Sequence, residues 1–159
     1  MIATTMLYPV PFFDFLSPSE RKAIADISDI RNYRDGDYIF REKELAKALC
    51  ILVYGSVDLF FAVEVEYHPE LRKELMFSVI GSGELFGISA LIEPHILTSS
   101  ARASKPSQVI QIDMNGLLAL CEQNEKFAYS LMHQVAKTTI ERLSATRLQL
   151  AAVWSTVRV

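Results

Sequence analysis

Metal and redox chemistry have almost no material to work with in this chain. Its 159 residues hold two cysteines and three histidines. Cys50 and Cys121 lie far apart on apolar backgrounds, and His68, His95 and His133 lack the paired spacing of a metal site. A cysteine-ligated iron–sulfur cluster takes about four thiolates, so none can be built here. Both thiols are expected to be free and buried, which fits a reducing compartment. There is no basic excess: 16 Lys and Arg face 19 Asp and Glu, and a net charge of −3 provides no stripe for a nucleic-acid backbone. No run approaches the roughly 18 unbroken apolar residues of a membrane span, and Met1–Pro9 lacks the basic start of a secretory signal. The expected location is therefore the cytoplasm. No nucleophile elbow, phosphate-binding Gly-x-x-x-x-Gly-Lys loop or paired catalytic carboxylates appear, so the sequence does not support an enzyme.

What is present is a globular composition, half apolar with 22% charged residues. It suffices for one domain over residues 1–159 with a real core. Residues 12–34 read as a helical lead-in. Phe12, Phe13, Phe15 and Leu16 form an apolar entry, Ser17-Pro18-Ser19-Glu20 reads as a helix start, and Ala23, Ile24, Ile27 and Ile30 recur at helical spacing. Residues 35–113 then turn to strands, in short β-branched and aromatic runs separated by turn residues, as in an antiparallel barrel. Asp35-Gly36-Asp37 is a turn, Ala48–Val53 a continuous apolar run, and Val57–Val65 a partly alternating one. His68-Pro69-Glu70 is expected at a hairpin tip, since proline cannot continue a ladder. Gln108–Asp113 reads as the last strand.

Residues 115–155 are helical, with a short helix over Gly116–Gln123 and a long one from Glu125 to about Trp154. Along the long helix Met132, Ala136, Thr139, Leu143, Thr146, Leu150 and Val153 alternate steps of four and three, the a/d seam of a two-stranded coiled coil. Phe127, Leu131 and Val135 give the same helix a second apolar face, suited to its own domain. A helix apolar on two faces needs two partners, and a parallel homodimer supplies the second.

The most informative stretch is Gly83-Glu84-Leu85-Phe86-Gly87-Ile88-Ser89-Ala90-Leu91, with Leu97-Thr98-Ser99-Ser100-Ala101-Arg102-Ala103 downstream. It resembles the phosphate-binding cassette of the cyclic nucleotide-binding domain family, the sensor module of catabolite activator and FNR-type regulators. Gly36, Gly55-Ser56-Val57 and Phe13-x-x-Leu16-Ser17 fall in the same register. The resemblance implies a mainly β fold with flanking helices: an eight-stranded antiparallel jelly-roll β-barrel plus a long C-terminal dimerisation helix. It also implies a non-catalytic regulatory role. Lys43 stands where the family has a turn glycine, so the loop Arg41–Lys47 is expected to be remodelled.

The ligand is another matter. The acidic position that takes the ribose hydroxyl is Ile88, and the arginine position that pairs with the cyclic phosphate is Leu97. Gly83, Gly87, Ser89 and Ala90 can still form a turn into a short helix whose free N–H groups favour an anion, with Thr98 and Ser99 adding hydroxyls. Losing the arginine removes a charge-assisted bond worth roughly twice a neutral one. Cyclic nucleotide binding is thus disfavoured, unless Arg102 or Arg142 stands in; Arg142-Leu143 falls where the family reaches the purine, although a solvated Arg142 is the plainer reading. His95 is the one place for a haem ligand, and a lone loop histidine reads as solvated. The cupin enzymes share such a barrel but need clustered histidines. Relatives that bind DNA carry a helix-turn-helix after the long helix; this chain stops at Val159, so no DNA binding by this chain alone is expected. Three readings remain open: a sensor with an altered ligand, a ligand-free module binding a partner protein, and a true cyclic nucleotide receptor.

Overall fold

A computed structural model describes residues 1–65 and 68–157. Its strands form two four-stranded antiparallel sheets. The first is ordered β1 (Ser28–Tyr33), β8 (Ser107–Asp113), β3 (Ala48–Tyr54), β6 (Leu85–Phe86); the second β2 (Tyr38–Phe40), β7 (Ser100–Ala103), β4 (Val57–Val65), β5 (His68–Ile80). This interleaved order is that of a jelly roll. The sheets do not close into the expected barrel, because among the described residues β1 and β2 share no ladder, nor do β5 and β6. A turn links the first pair: Asp37 N–H donates to the Arg34 carbonyl (3.1 Å) and Arg34 N–H to the Asp37 carboxylate (2.7 Å).

The first sheet is covered on both faces, which explains the unbroken apolar run of β3. Leu49 and Ile51 face the helices, in a core with Ile110, Ile112, Leu117, Phe127, Leu131 and Val135. Cys50 and Leu52 point the other way, into a second core between the sheets with Val57, Leu59, Ile80, Phe86 and Val109. Gly55 allows the β3–β4 turn (φ 107°) and its approach to β8, where a side chain would lie 2.2 Å from the Ser107 hydroxyl.

The helical lead-in is shorter than the sequence suggests. α1 spans Pro18–Asp26, and Ser28–Tyr33, read as helix, is a strand. The start is as expected: Glu20 N–H donates to Ser17 Oγ (3.3 Å) and Ser17 N–H to the Glu20 carboxylate (2.8 Å). Those bonds hold the Glu20 carboxyl below its ordinary value. The helical spacing fails after Ile27 because Ile30 pairs with Ile110 across the ladder, where long-range hydrogen bonds outweigh local periodicity. His68-Pro69-Glu70 is not a tip but the start of β5, and the tip lies outside the described residues. Proline is tolerated there because β5 is an edge strand.

Lys43 overturns the expected remodelling by adopting the left-handed conformation itself, at φ 70°. Its N–H donates to the Leu97 carbonyl at 2.8 Å, which offsets the strain. α2 (Met114–Gln123) is capped by Asp113, whose carboxylate accepts from Gly116 N–H at 2.8 Å. α3 (Glu125–Val157) is capped by Asn124 through Phe127 N–H at 3.0 Å.

Candidate ligand site

The cassette turn forms as the glycines suggest. Gly87 is left-handed (φ 72°) and leads into one 3₁₀ turn, Ile88–Leu91. A side chain at Gly87 would press on the Ala48 carbonyl oxygen at 3.2 Å and on Phe40 at 3.4 Å. Ala90 N–H already donates to the Gly87 carbonyl at 3.1 Å, so this single turn is a weak anion cradle.

Both departures from the cassette pattern are packed side chains. Leu97 is 5% exposed and belongs to the core beneath the helices, and Ile88 packs against the same core. The backbone of Leu97 is locked as well, its N–H donating to the Glu44 carbonyl at 2.9 Å and its own carbonyl accepting from Lys43. Thr98 is exposed and Ser99 half-buried. The hydroxyl that does structural work is the next one, Ser100 Oγ, which accepts from Glu42 N–H at 2.9 Å; the Glu42 carboxylate in turn accepts from Ala62 N–H at 2.9 Å.

Of the two candidate arginines only Arg142 meets the cassette, and it does so at the Leu85 backbone. Ala101 and Ala103 are buried in β7, so Arg102 between them projects from the opposite face, where its guanidinium stacks 4.5 Å from the Phe60 ring centre. Arg142 is not the solvated arginine of the plainer reading. It is half-buried on α3, donates to the Leu85 carbonyl, and sits near Glu84 in a groove of about 390 Å³ between α3 and β5. Burial holds its pKa below the ordinary value, and Glu84 partly opposes this. Glu84 is thus on the helix side of the cassette, Gly83 borders a groove against Pro11, and Leu85 and Phe86 are core residues. Leu143 is 47% exposed on the far side of α3. The residues read as one pocket are therefore divided between the helix groove, the core and the cassette turn. His95 is not loose: its Nδ1–H donates to the Ser89 carbonyl at 3.3 Å, tying the end of the cassette to its start.

An open space of about 920 Å³ lies between the sheets on the β1–β2 side. Leu97, Phe40 and Tyr38 form apolar and aromatic wall, Cys50 and Gln111 line it too, and Arg31 and Lys47 are matched by Asp37 and Glu44. Gln111 Nε2 donates to the Tyr33 hydroxyl at 3.0 Å. Burial, then the nearby Cys50, raises the Tyr33 pKa, so the hydroxyl stays protonated.

A strand order shared with the jelly-roll sensors, a left-handed glycine opening the cassette and a long helix against the sandwich all point one way. Residues 30–124 match the cyclic nucleotide-binding domain family. The chain belongs to that family. It is 30% identical over 109 residues to the cGMP-dependent protein kinase egl-4 of Caenorhabditis elegans, covering 67% of this chain and 13% of the kinase. It is 27% identical over 128 residues to the Cyclic AMP receptor protein of Thermus thermophilus, covering 80% of this chain and 56% of the receptor. The chain thus spans only part of these relatives. A solved structure from Geobacter metallireducens GS-15, provisionally named for cyclic nucleotide binding, superposes with a TM-score of 0.78 at 34% identity, over 90% of this chain and 99% of that one.

Within this cyclic nucleotide-binding-type domain, Tyr33 and Gln111 were not apparent as site residues. The available signal was Gln111 itself, a polar residue in a strand flanked by Ile110 and Ile112 and covered on both faces. Cys50 is accounted for as an inert thiol. Burial pushes it from the ordinary 9.0 up to about 12, with Gln111 opposing. Since the folded pKa is raised, the associated stability is intact below pH 9 and is lost as pH rises from 9 to 12. The expected slope is up to about 1.4 kcal/mol per pH unit from this group. Urea denaturation across that range checks it: Cys50→Ala should show a shallower decline than the parent.

Proposed function

We propose that this chain is a non-catalytic regulatory module of the cyclic nucleotide-binding fold whose cassette no longer takes a cyclic nucleotide. One observation carries the reading: the two positions that would meet the ribose and the cyclic phosphate, Ile88 and Leu97, are packed apolar side chains. The arginines that could substitute are engaged elsewhere, Arg102 on Phe60 and Arg142 on the Leu85 carbonyl. The remaining cations beside Leu97, Arg31 and Lys47, share their wall with Asp37 and Glu44. A phosphate seated there would lose its hydration for no net opposite charge, a penalty of about several kcal/mol.

On this reading an uncharged ligand, or none, biases the seating of α3, and the regulatory output is that helix. Arg142 is the direct link, since it joins α3 to the carbonyl two residues before Gly87. A ligand shifts such an equilibrium only by preferring one seating. The module works as a homodimer through α3 in the cytoplasm. The test is thermal denaturation with cyclic AMP and cyclic GMP up to millimolar concentration. No shift is expected; saturating stabilisation at micromolar nucleotide would sink the reading.

A further inference from the structure

We infer that the inter-sheet cavity on the β1–β2 side is a ligand site for a neutral, planar molecule that carries a C=O and an N–H side by side, the edge of a lactam or a nucleobase-type ring. The inference rests on the reading above that the cassette itself does not bind cyclic nucleotide, and it names the class of molecule the fold takes instead.

The cavity, at about 920 Å³, is of the size that encloses a small organic ligand. Its chemistry is selective. At its polar end Gln111 Nε2 donates to the Tyr33 hydroxyl oxygen, which fixes the orientation of both groups. The tyrosine then keeps its O–H for donation, and the glutamine keeps its Oε1 for acceptance. One donor and one acceptor, held together by a bond between their own side chains, complement a ligand edge with one acceptor and one donor. A carboxylate would set an acceptor oxygen against the Gln111 acceptor oxygen, and an ammonium would meet the Tyr33 hydroxyl hydrogen. Either mismatch leaves a desolvated polar group unpaired, whereas a lactam edge satisfies both.

The walls favour a flat body. Phe40 and Leu97 offer apolar surface, and Tyr38 adds a ring backed by the Arg41 guanidinium at 3.7 Å. Among the lining residues two cations, Arg31 and Lys47, stand with two acids, Asp37 and Glu44. Cys50, although it lines the space, is a protonated thiol and offers no covalent capture. The cavity also shares a wall with the cassette, because Phe40, Ala48 and Cys50 are the groups that crowd Gly87. A ligand resting on Phe40 therefore touches the element that sets the cassette turn.

The experiment is an NMR titration of the full chain with uracil, with its N,N′-dimethyl derivative as the matched compound lacking N–H, and with cyclic AMP in a separate arm. Saturable, low-millimolar binding of uracil is expected, with amide shifts centred on Tyr33, Phe40 and Gln111. Affinity should fall about tenfold for the dimethyl compound and for Tyr33→Phe or Gln111→Leu. Equal binding of the dimethyl compound, or binding untouched by either substitution, overturns the inference, and so does the absence of any uracil response. Micromolar cyclic AMP binding overturns the earlier reading instead, and the two failures are told apart by which arm responds. Should a variant fail to fold, the two uracils still decide the question.

Discussion

Leu97→Arg, which restores the cassette arginine on paper, is expected to damage the domain without restoring nucleotide binding. Leu97 is 5% exposed and packs in the core that includes Ala46, Leu49 and Ala90. Its backbone is held on both sides by Glu44 and Lys43, so the chain cannot shift to carry the new side chain away without breaking two hydrogen bonds. The cassette's own acidic position is Ile88, and the carboxylates of the adjoining cavity wall, Asp37 and Glu44, share that wall with Arg31 and Lys47. Burying an uncompensated charge costs about 3–5 kcal/mol. In a chain of this size that lowers the melting temperature by roughly 6–20 °C. Leu97→Met, which keeps volume and polarity, should cost less than about 1.5 kcal/mol. Calorimetry and urea denaturation of the two variants, with cyclic AMP added at the end, make the test. If Leu97→Arg melts like the parent and binds cyclic AMP at micromolar levels, the cassette is one substitution from function and its packing has been misread.

The same residue shows where the sequence stops being informative. The turns, most of the strands and the flanking helices were legible because they depend on patterns local to the chain, whereas the jelly-roll order was implied by the resemblance of the cassette. Glycines at Gly55 and Gly87 sit at turns that need positive φ, Ser17 and Glu20 close a capping box, and the apolar run of β3 is a strand covered on both faces. The identity of the cassette residues was legible too. Their direction was not. Whether Arg102 reaches the cassette depends on the register of β7 between β2 and β4, and the register turns Ala101 and Ala103 inward. Whether Arg142 is solvated depends on where α3 lies on β6. Ser28–Tyr33 reads as helix in isolation and becomes a strand only because β8 is there to pair with it. The cavity was hidden for a similar reason: Tyr33 and Gln111 are 78 residues apart in sequence and meet only through sheet pairing.

Charging the outer face of α3 with Leu143→Asp and Leu150→Asp together is expected to convert a dimer into a monomer with a preserved core. The inner face of the helix is settled within the chain, with Phe127, Leu131 and Val135 each less than 5% exposed. The seam on the other face is open: Met132 is 38% exposed, Leu143 47%, Leu150 58% and Val153 59%. The two hydroxyls in the seam do not oppose packing, because Thr139 donates to the Val135 carbonyl (2.8 Å) and Thr146 to the Arg142 carbonyl (3.0 Å). Beyond Gln149 the helix leaves the groove against β5, and a lone helical segment of fewer than about 12 residues is marginal in water. A second copy of the helix, in parallel, covers the seam and supports that end at once. Parallel pairing sets each seam residue against itself, so two aspartates per chain create two layers of facing like charge. Light scattering should give twice 17.9 kDa for the parent and 17.9 kDa for the variant. Helical signal should fall only by the share of the C-terminal turns, while the melting of the sandwich stays near that of the isolated subunit. A parent that is monomeric at high micromolar concentration, or a variant that stays dimeric, removes α3 from the role of interface. The output of this module would then have to lie on the β4–β5 edge, where Phe61, Val63, Leu75, Met76 and Val79 are exposed apolar residues.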